Sequence, residues 1–163
     1  MMNKLKWLVL TAMLFSNSTF AQSIQLNQVY SLDSKTAQML VQEAESTCKK
    51  LNHNIAVVVV DQGGNPLIAH RHESVGPHNL VAAEKKAYTA LSTKTSTMLL
   101  SQTANENSDA KNLTTLSNLL LLGGGLPIRY ENHVVGAIGV AGAGGAKNDS
   151  HCAASAIQAT LNY

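Results

Sequence analysis

The sequence predicts an α+β fold, an antiparallel β-sheet of about five strands with α-helices packed against it. The first observation is the order of the periodic segments, which runs helix, hairpin, helices, hairpin, helix. The second is the absence of single strands that alternate with helices, since such alternation is typical of a parallel sheet. The third is a turn-forming sequence between the two strands of each hairpin, which favours antiparallel pairing.

The first elements are a helix and a hairpin. Residues 34–51 place small and apolar side chains three or four positions apart, as one helical face requires. Asp33 or Ser34 is a suitable residue to cap this helix. Residues 55–60 are an unbroken apolar run of mostly β-branched side chains, which predicts a strand covered on both faces. Glycines follow in a turn, so residues 55–72 are predicted to form a β-hairpin.

The rest of the chain predicts a second hairpin between helices. Pro77, with His78 or Asn79, starts a helix that extends to about Thr93. The remaining predictions are a short helix over 95–102, a loop with partial helix over 103–117, an ambiguous strand or helix over 118–122, strands over 126–131 and 133–140, and a C-terminal helix from Asn148 or Asp149 to Leu161.

Residues 1–21 have the composition of a secretory signal peptide. Two lysines precede an apolar run that is too short to span a membrane, and small residues then suit cleavage after Ala21. We therefore expect a periplasmic or secreted protein, with no stable membrane insertion of the mature chain. Residues 22–33 are predicted to be an N-terminal lead-in, and residues 34–163 a single domain.

The charge balance argues against nucleic acid as a partner. The chain has twelve basic and ten acidic residues, but Lys4 and Lys6 belong to the predicted signal peptide. The mature chain is therefore formally neutral, and it contains no basic run and no aromatic stacking platform. These features exclude a typical nucleic-acid-binding surface.

Two cysteines, Cys48 and Cys152, remain in the predicted exported chain. An oxidising compartment permits a disulfide between them. Two buried thiols are the alternative, and the spacing of the cysteines in the sequence leaves both possibilities open.

Eight of the eleven glycines fall between Gly123 and Gly145, which raises the question of what approaches the backbone there. A phosphate-binding loop requires a glycine followed by lysine and then serine or threonine, whereas Lys147 follows alanine and precedes asparagine. A dinucleotide fingerprint requires a third glycine at the position that Lys147 occupies. Both nucleotide-binding interpretations therefore fail on spacing.

Several segments stand in the order of a known family: VVVVDQGG at 57–64, KAYTA at 86–90, GGGLPI at 123–128 and VGAIGV at 135–140, followed by Gly142 and Asp149. Through these segments the chain resembles the GlcG/HbpS-type haem-binding family, which is related to the PduO C-terminal domain. The resemblance implies a profilin-like fold and assembly into homo-oligomers. It also implies non-covalent binding of haem or a related tetrapyrrole, with haem degradation or iron binding ascribed to some members.

Histidine is a common ligand of haem iron, and the chain has six histidines. By position we rank His78 first as axial ligand, followed by His72 and His53, because each lies where a strand or helix meets a loop. His78 and His72 are also the candidate metal ligands. The attachment motif C-x-x-C-H is absent from the sequence, so any bound haem is expected to be held non-covalently.

Other residues are candidates for contacting the macrocycle. His70 and His72 share one face of the second predicted strand, where the two are a candidate pair to bind a metal between them, and Arg71 takes the other face. Arg71 is a candidate to hold a haem propionate through a charge-assisted hydrogen bond. The run Gly123, Gly124 and Gly125 is a candidate wall of the cofactor pocket or of an interface.

The sequence predicts a haem-binding protein that acts in haem uptake, buffering or sensing. One alternative is a haem-degrading or other small-molecule enzyme that uses the same pocket. Another is a non-catalytic assembly module whose glycines serve subunit packing. No hydrolase or metalloprotease motif is present, and Lys86 is expected to pair with a carboxylate.

Overall fold

The computed structural model describes residues 24–161. The predicted signal peptide and its cleavage site lie outside the described residues. The elements, in chain order, are α1 (Ser34–Lys50), β1 (Ala56–Asp61), β2 (Pro66–Arg71), α2 (His78–Thr93), α3 (Thr97–Glu106), α4 (Ser108–Lys111), a 3-10 turn (Asn112–Thr115), β3 (Gly125–Tyr130), β4 (His133–Ala141) and α5 (Ala146–Leu161). Within the described part of the chain, no helix has both the length and the apolar character needed to cross a membrane.

The strands form one antiparallel sheet in the order β2-β1-β4-β3, which confirms the predicted α+β architecture. The sheet has four strands, whereas the sequence predicted about five. Residues 118–122, which the sequence left ambiguous, form no strand or helix. One reason is that the Leu120 N–H donates to Thr89 Oγ1 of α2 at 2.8 Å instead of joining a ladder. The order leaves β2 and β3 as the two edge strands.

Helices cover both faces of the sheet. Val57 and Val59 of β1 pack with α1 and α5, whereas Val58 and Val60 pack with α2 on the opposite face. Every residue from 56 to 60 is buried, which confirms the strand covered on both faces. Because side chains alternate along β2, the hairpin presents alternate residues to the α1 face and the α2 face.

The ends of α1 follow its capping sequence. Asp33 is the N-cap, and its carboxylate accepts a hydrogen bond from the Thr36 N–H at 2.8 Å. Hydrogen bonds from the Thr36 side chain and backbone hold the pKa of Asp33 below its usual value of 3.8. The helix ends before Asn52, which adopts a left-handed conformation with φ of 60°.

Two helical segments differ from the predicted boundaries. The short helix predicted at 95–102 extends to Glu106, and α4 and the 3-10 turn follow it directly. Capping residues set these boundaries. Ser96 accepts a hydrogen bond from the Leu99 N–H and starts α3 at Thr97. Asn107 accepts from two N–H groups of α4 and so starts a new helix directly after α3. The C-terminal helix starts at Ala146, since Asp149 lies inside its first turn instead of before it.

A disulfide joins the two helices on one face of the sheet. Cys48 of α1 and Cys152 of α5 are bridged, with Cα atoms 5.5 Å apart and a separation of 104 positions in the sequence. Both side chains are fully buried in the core between these helices and the sheet. Of the two states that the sequence left open, the structure therefore contains the disulfide.

Candidate functional site

The glycine-rich segment packs against other parts of the protein. A Cβ atom at Gly125 would stand 2.2 Å from the backbone oxygen of Lys86, and one at Gly139 would stand 2.0 Å from that of Ala83. A Cβ atom at Gly124, which has φ of +122°, would stand 2.4 Å from the backbone oxygen of Val140 in β4. These distances are too short for any side chain, so the glycines allow β3 and β4 to lie directly against α2.

A buried ion pair lies beside these glycines. Lys86 Nζ of α2 is 2.8 Å from Asp149 Oδ2 of α5 and donates to the Val140 carbonyl oxygen at 2.9 Å. The other carboxylate oxygen of Asp149 accepts from the Ala143 N–H at 2.8 Å. Both side chains are almost completely shielded from solvent. The expected pairing of Lys86 with a carboxylate is confirmed, and the pair ties α2 to α5, while the Ala143 N–H joins the loop before α5 to the same carboxylate.

An open groove lies between α1 and the edge strand β2. Its volume is about 480 Å³, within the range of about 300–1,000 Å³ that is usual for small-molecule sites. The lining consists of side chains of α1, the loop before β1 and the end of β2: Gln42, Glu45, Ser46, Lys49, His53, Asn54, Ile55, His70 and His72. Three histidines, one carboxylate and one ammonium group therefore converge on one concave surface.

His70 is held by a carboxylate in this groove. Its Nδ1 atom contacts Glu45 Oε1 of α1. An ionised carboxylate only accepts hydrogen bonds, so Nδ1 carries the proton and Nε2 of the neutral ring has a free lone pair. Histidines that bind metals have this same arrangement, in which the second nitrogen donates to a carboxylate. His70 therefore presents a nitrogen that is suited to metal coordination.

His72 has the opposite hydrogen-bonding role at Nδ1, which accepts a hydrogen bond where His70 Nδ1 donates one. Its Nδ1 atom accepts from the Ser74 N–H at 3.1 Å and lies 2.8 Å from the Ser74 hydroxyl oxygen. That hydroxyl oxygen in turn accepts from Asn54 Nδ2 at 2.9 Å. The lone pair of His72 that faces this turn is therefore already in use.

The third histidine and the lysine complete the rim of the groove. His53 follows α1, and its ring lies against Gly144, where a Cβ atom would stand 2.9 Å from His53 Cε1. Gly144 has φ of +81°, so a side chain there would be strained as well as crowded. Lys49 lies on α1 with its side chain exposed. Its ammonium group is a suitable partner for a negatively charged ligand group.

The structure brings together only some of the residues that the sequence singled out. His53 and His72 both line the groove. His78 is exposed at the start of α2, with its ring next to Gly76, and it does not line this groove. The ranking of His78 as first ligand stays a prediction.

Arg71 and the three glycines also lie elsewhere. Arg71 points to the α2 side of β2, and its guanidinium donates to the backbone oxygens of His72, Glu73 and Val75. It therefore shapes the loop after β2. Gly123, Gly124 and Gly125 are buried against α2 and α5, and they do not line the groove.

Sequence reasoning placed His70 beside His72 as a candidate metal-binding pair, but it did not rank His70 among the axial ligands. Its sequence signal was its spacing of two from His72, which places both on one strand face. Its partner Glu45 lies 25 positions earlier on α1, so the pair depends on how α1 crosses the sheet. Among residues 24–161, no three histidine, cysteine or acidic side chains are arranged to hold a metal ion by themselves.

Comparisons with known proteins agree with this architecture. The family model described as "Haem degrading protein HbpS-like" matches residues 32–158. Protein GlcG of Escherichia coli K12 is 26% identical over 109 residues, which cover 67% of this chain and 80% of GlcG. The crystal structure of HbpS is 31% identical, with a TM-score of 0.78 over 88% of this chain and 99% of that one. A crystal structure of a PduOC–heme complex is 25% identical, with a TM-score of 0.73 over 81% and 96%.

The fold and the groove thus define a small α+β protein with a histidine-lined groove at one sheet edge. The chain belongs to the HbpS-like family, because the family model spans most of its length.

Proposed function

We propose that this protein binds haem non-covalently in the groove between α1 and β2, with His70 Nε2 as the axial ligand. Three findings support the proposal: the chain is a member of the HbpS-like family, a structural neighbour is a heme complex, and the groove is rich in histidine. When bound, haem supplies an iron that accepts axial nitrogen ligands. The observation that carries the proposal is the contact between His70 Nδ1 and Glu45, which leaves Nε2 as the free nitrogen.

The other groove residues fit the same ligand. Haem combines an apolar macrocycle with two carboxylates at one edge, and the carbon chain of the exposed Lys49 offers apolar surface beside the nearly fully buried Ile55. The ammonium group of Lys49 lies at the solvent-exposed rim of the groove, where it is a suitable partner for a haem propionate. Arg71, the propionate partner that the sequence favoured, is occupied by three backbone oxygens on the other side of β2.

Titration of the mature protein with hemin tests the proposal. We expect a saturable shift of the Soret band in the wild type, and loss or strong weakening of that shift in His70→Ala. Glu45→Gln should weaken binding less, by about 10- to 100-fold, because it removes the group that orients the ligand but not the ligand itself.

His78→Ala is the matched control, because this exposed histidine is the ligand that the sequence ranked first. It should leave the Soret band and the hemin affinity unchanged. If His78→Ala abolishes the shift while His70→Ala does not, the groove is the wrong site and the sequence-based ranking is right. If the wild type shows no saturable shift, the haem-binding function itself is wrong.

The physiological role that we propose is haem uptake, buffering or sensing outside the cytoplasm, by a homo-oligomer. The signal-like residues 1–21 support export. Intact-mass measurement of protein recovered from the periplasm should give a chain that begins at Gln22. Light scattering of that protein, with and without hemin, should give a mass that is a multiple of the single chain.

A haem-degrading enzyme is the second candidate, because the description of the matching family names that activity. The hemin complex distinguishes the two. Stable binding predicts that the Soret band persists when a reductant or a peroxide is added. Degradation predicts a progressive loss of the band that His70→Ala slows. A protein with neither behaviour would fit the assembly role.

A further inference from the structure

The disulfide bridge lies directly beside the part of α1 that lines the groove. Cys48 stands three residues after Glu45 and one residue before Lys49, and both of these side chains line the groove. Cys48 itself is fully buried in the core, where it is bonded to Cys152 of α5. The groove wall and the bridge therefore belong to little more than one helical turn.

Cys48 also fixes the chain that leaves α1. Its carbonyl oxygen accepts hydrogen bonds from the Leu51 and His53 N–H groups, each at 3.0 Å. His53 lines the groove, as Glu45 does on the other side of Cys48 in the sequence. A displacement of Cys48 would therefore move groove residues that precede it and groove residues that follow it.

The other end of the bridge lies near a loop that contacts the same groove residue. Asp149 Oδ1 of α5 accepts from the Ala143 N–H at 2.8 Å, which fixes the loop before this helix. The next residue in that loop is Gly144, against which the His53 ring packs. Cys152 follows Asp149 by three positions in α5. The bridge and the loop thus connect α5 to the end of α1 at two separate points.

The contact between Glu45 and His70 is too weak to position α1 by itself. The His70 and Glu45 side chains are 52% and 36% exposed, and an ion pair between exposed groups contributes little to stability because water screens it. The contact still requires α1 at a fixed distance from β2, since a hydrogen bond weakens steeply when its geometry departs from the ideal. The buried interactions of α1 must set that distance, and the bridge is the covalent one among them.

We infer, on the basis of the haem-binding function proposed above, that the bridge between Cys48 and Cys152 is a positioning element of the haem site as well as a stabiliser of the fold. It holds the last turns of α1 where Glu45 reaches His70 Nδ1, and it thereby keeps the His70 ring in the orientation proposed for the axial ligand. Both cysteines are buried and neither lines the groove, so the bridge acts on haem affinity through Glu45.

Hemin titration of the bridge-free variant Cys48→Ala/Cys152→Ala tests the inference. We expect this variant to bind hemin about 3- to 10-fold more weakly than the wild type, which is part of the roughly 10- to 100-fold that loss of an orienting carboxylate costs. In a Glu45→Ala background, removal of the bridge should change the hemin affinity by less than about twofold, because the side chain that the bridge positions is absent. Far-UV circular dichroism without denaturant shows that each variant is folded.

Gly139→Ala is the matched control for the loss of stability. It crowds β4 against α2, and it leaves both the bridge and the groove lining unchanged. It should therefore destabilise the fold but bind hemin as the wild type does. If the bridge-free variant does not fold, Cys48→Val/Cys152→Ala replaces it, because valine fills more of the space that the sulfur atoms leave.

Three outcomes would overturn the inference alone. The first is equal hemin affinity in the wild type and the bridge-free variant, since the bridge would then only stabilise the fold. The second is the same loss of affinity with and without Glu45, because the bridge would then act through other groups. The third is an equal loss in Gly139→Ala, which general destabilisation would explain. If the wild type shows no saturable Soret shift, the proposed function fails first and this inference with it.

Discussion

Replacing Lys86 with methionine tests the buried ion pair most directly. Methionine has a similar length and no charge, so the change leaves the Asp149 carboxylate buried, with the Ala143 N–H as its remaining described hydrogen-bond donor. The Lys86 and Asp149 side chains are 1% and 6% exposed, so water does not replace the lost ammonium group. Breaking one partner of such a pair costs about 3–5 kcal/mol of unfolding free energy. That is a large part of the roughly 5–15 kcal/mol that stabilises a typical domain.

The companion variants are Asp149→Asn and the double variant Lys86→Met/Asp149→Asn. The double variant has no buried charge, and its new amide side chain would keep an oxygen that can accept from the Ala143 N–H. We therefore expect the double variant to be more stable than Lys86→Met alone. Urea unfolding followed by far-UV circular dichroism, with the disulfide intact, gives the free energies, and equal m-values show that the same transition is compared.

Two results would refute this reasoning about the pair. The first is a cost of less than about 1 kcal/mol for Lys86→Met, which is the magnitude of an exposed ion pair. The second is a double variant whose cost equals the sum of the two single costs. Additivity of that kind indicates residues that do not interact, in contradiction to the 2.8 Å contact between Nζ and Oδ2.

Three further predictions concern the framework. Gly139→Ala should destabilise the fold by about 3 kcal/mol or more in urea unfolding, because its Cβ atom would overlap the backbone of α2. Replacing Cys48 and Cys152 by alanine should lower the unfolding free energy by about 2–5 kcal/mol, since the bridge closes a long loop. Asp33→Ala should lower the melting temperature at neutral pH but not in strong acid. The Thr36 hydrogen bonds depress the Asp33 pKa, so this stability is present above pH 3.8 and is lost as pH falls through the lowered value.

Each of these predictions has a contrasting control or outcome. Gly63→Ala is the control for Gly139→Ala, because its Cβ atom would meet only the ends of the Asp61 and Asn65 side chains. Two thiols in denatured, unreduced protein would contradict the bridge between Cys48 and Cys152. A stability difference between wild type and Asp33→Ala that persists unchanged into strong acid would contradict the role of the ionised cap.

Local patterns predicted the elements well where local chemistry controls them. The apolar run at 55–60, its following turn and the capping residue Asp33 each act within a few positions of the chain. The sequence was less reliable from 95 to 122, where no clear apolar period is present. There the outcome depends on capping by Ser96 and Asn107 and on one hydrogen bond from Leu120 to α2.

The site shows the same division. Position along the chain drew attention to His53 and His72, and both line the groove. It ranked His78 above them because that residue begins a helix, yet the path of the chain leaves His78 exposed and away from the groove. Position also gave His70 no rank, since the carboxylate that holds it comes from a different element.

By itself, the sequence determined the α+β class, the two hairpins and the resemblance to the family, because these depend on side-chain periodicity, turn residues and the order of short motifs. Only the tertiary structure decided what the glycines contact, how the cysteines pair and which nitrogen each histidine presents. These features depend on groups far apart in the sequence that packing brings within a few ångströms: Lys86 and Asp149 at the glycines, Cys48 and Cys152 between helices, and Glu45 at His70. The glycine-rich segment that first suggested a ligand cradle is therefore a packing surface, and the candidate chemistry lies in the groove beside β2, which this segment approaches where Gly144 packs against His53.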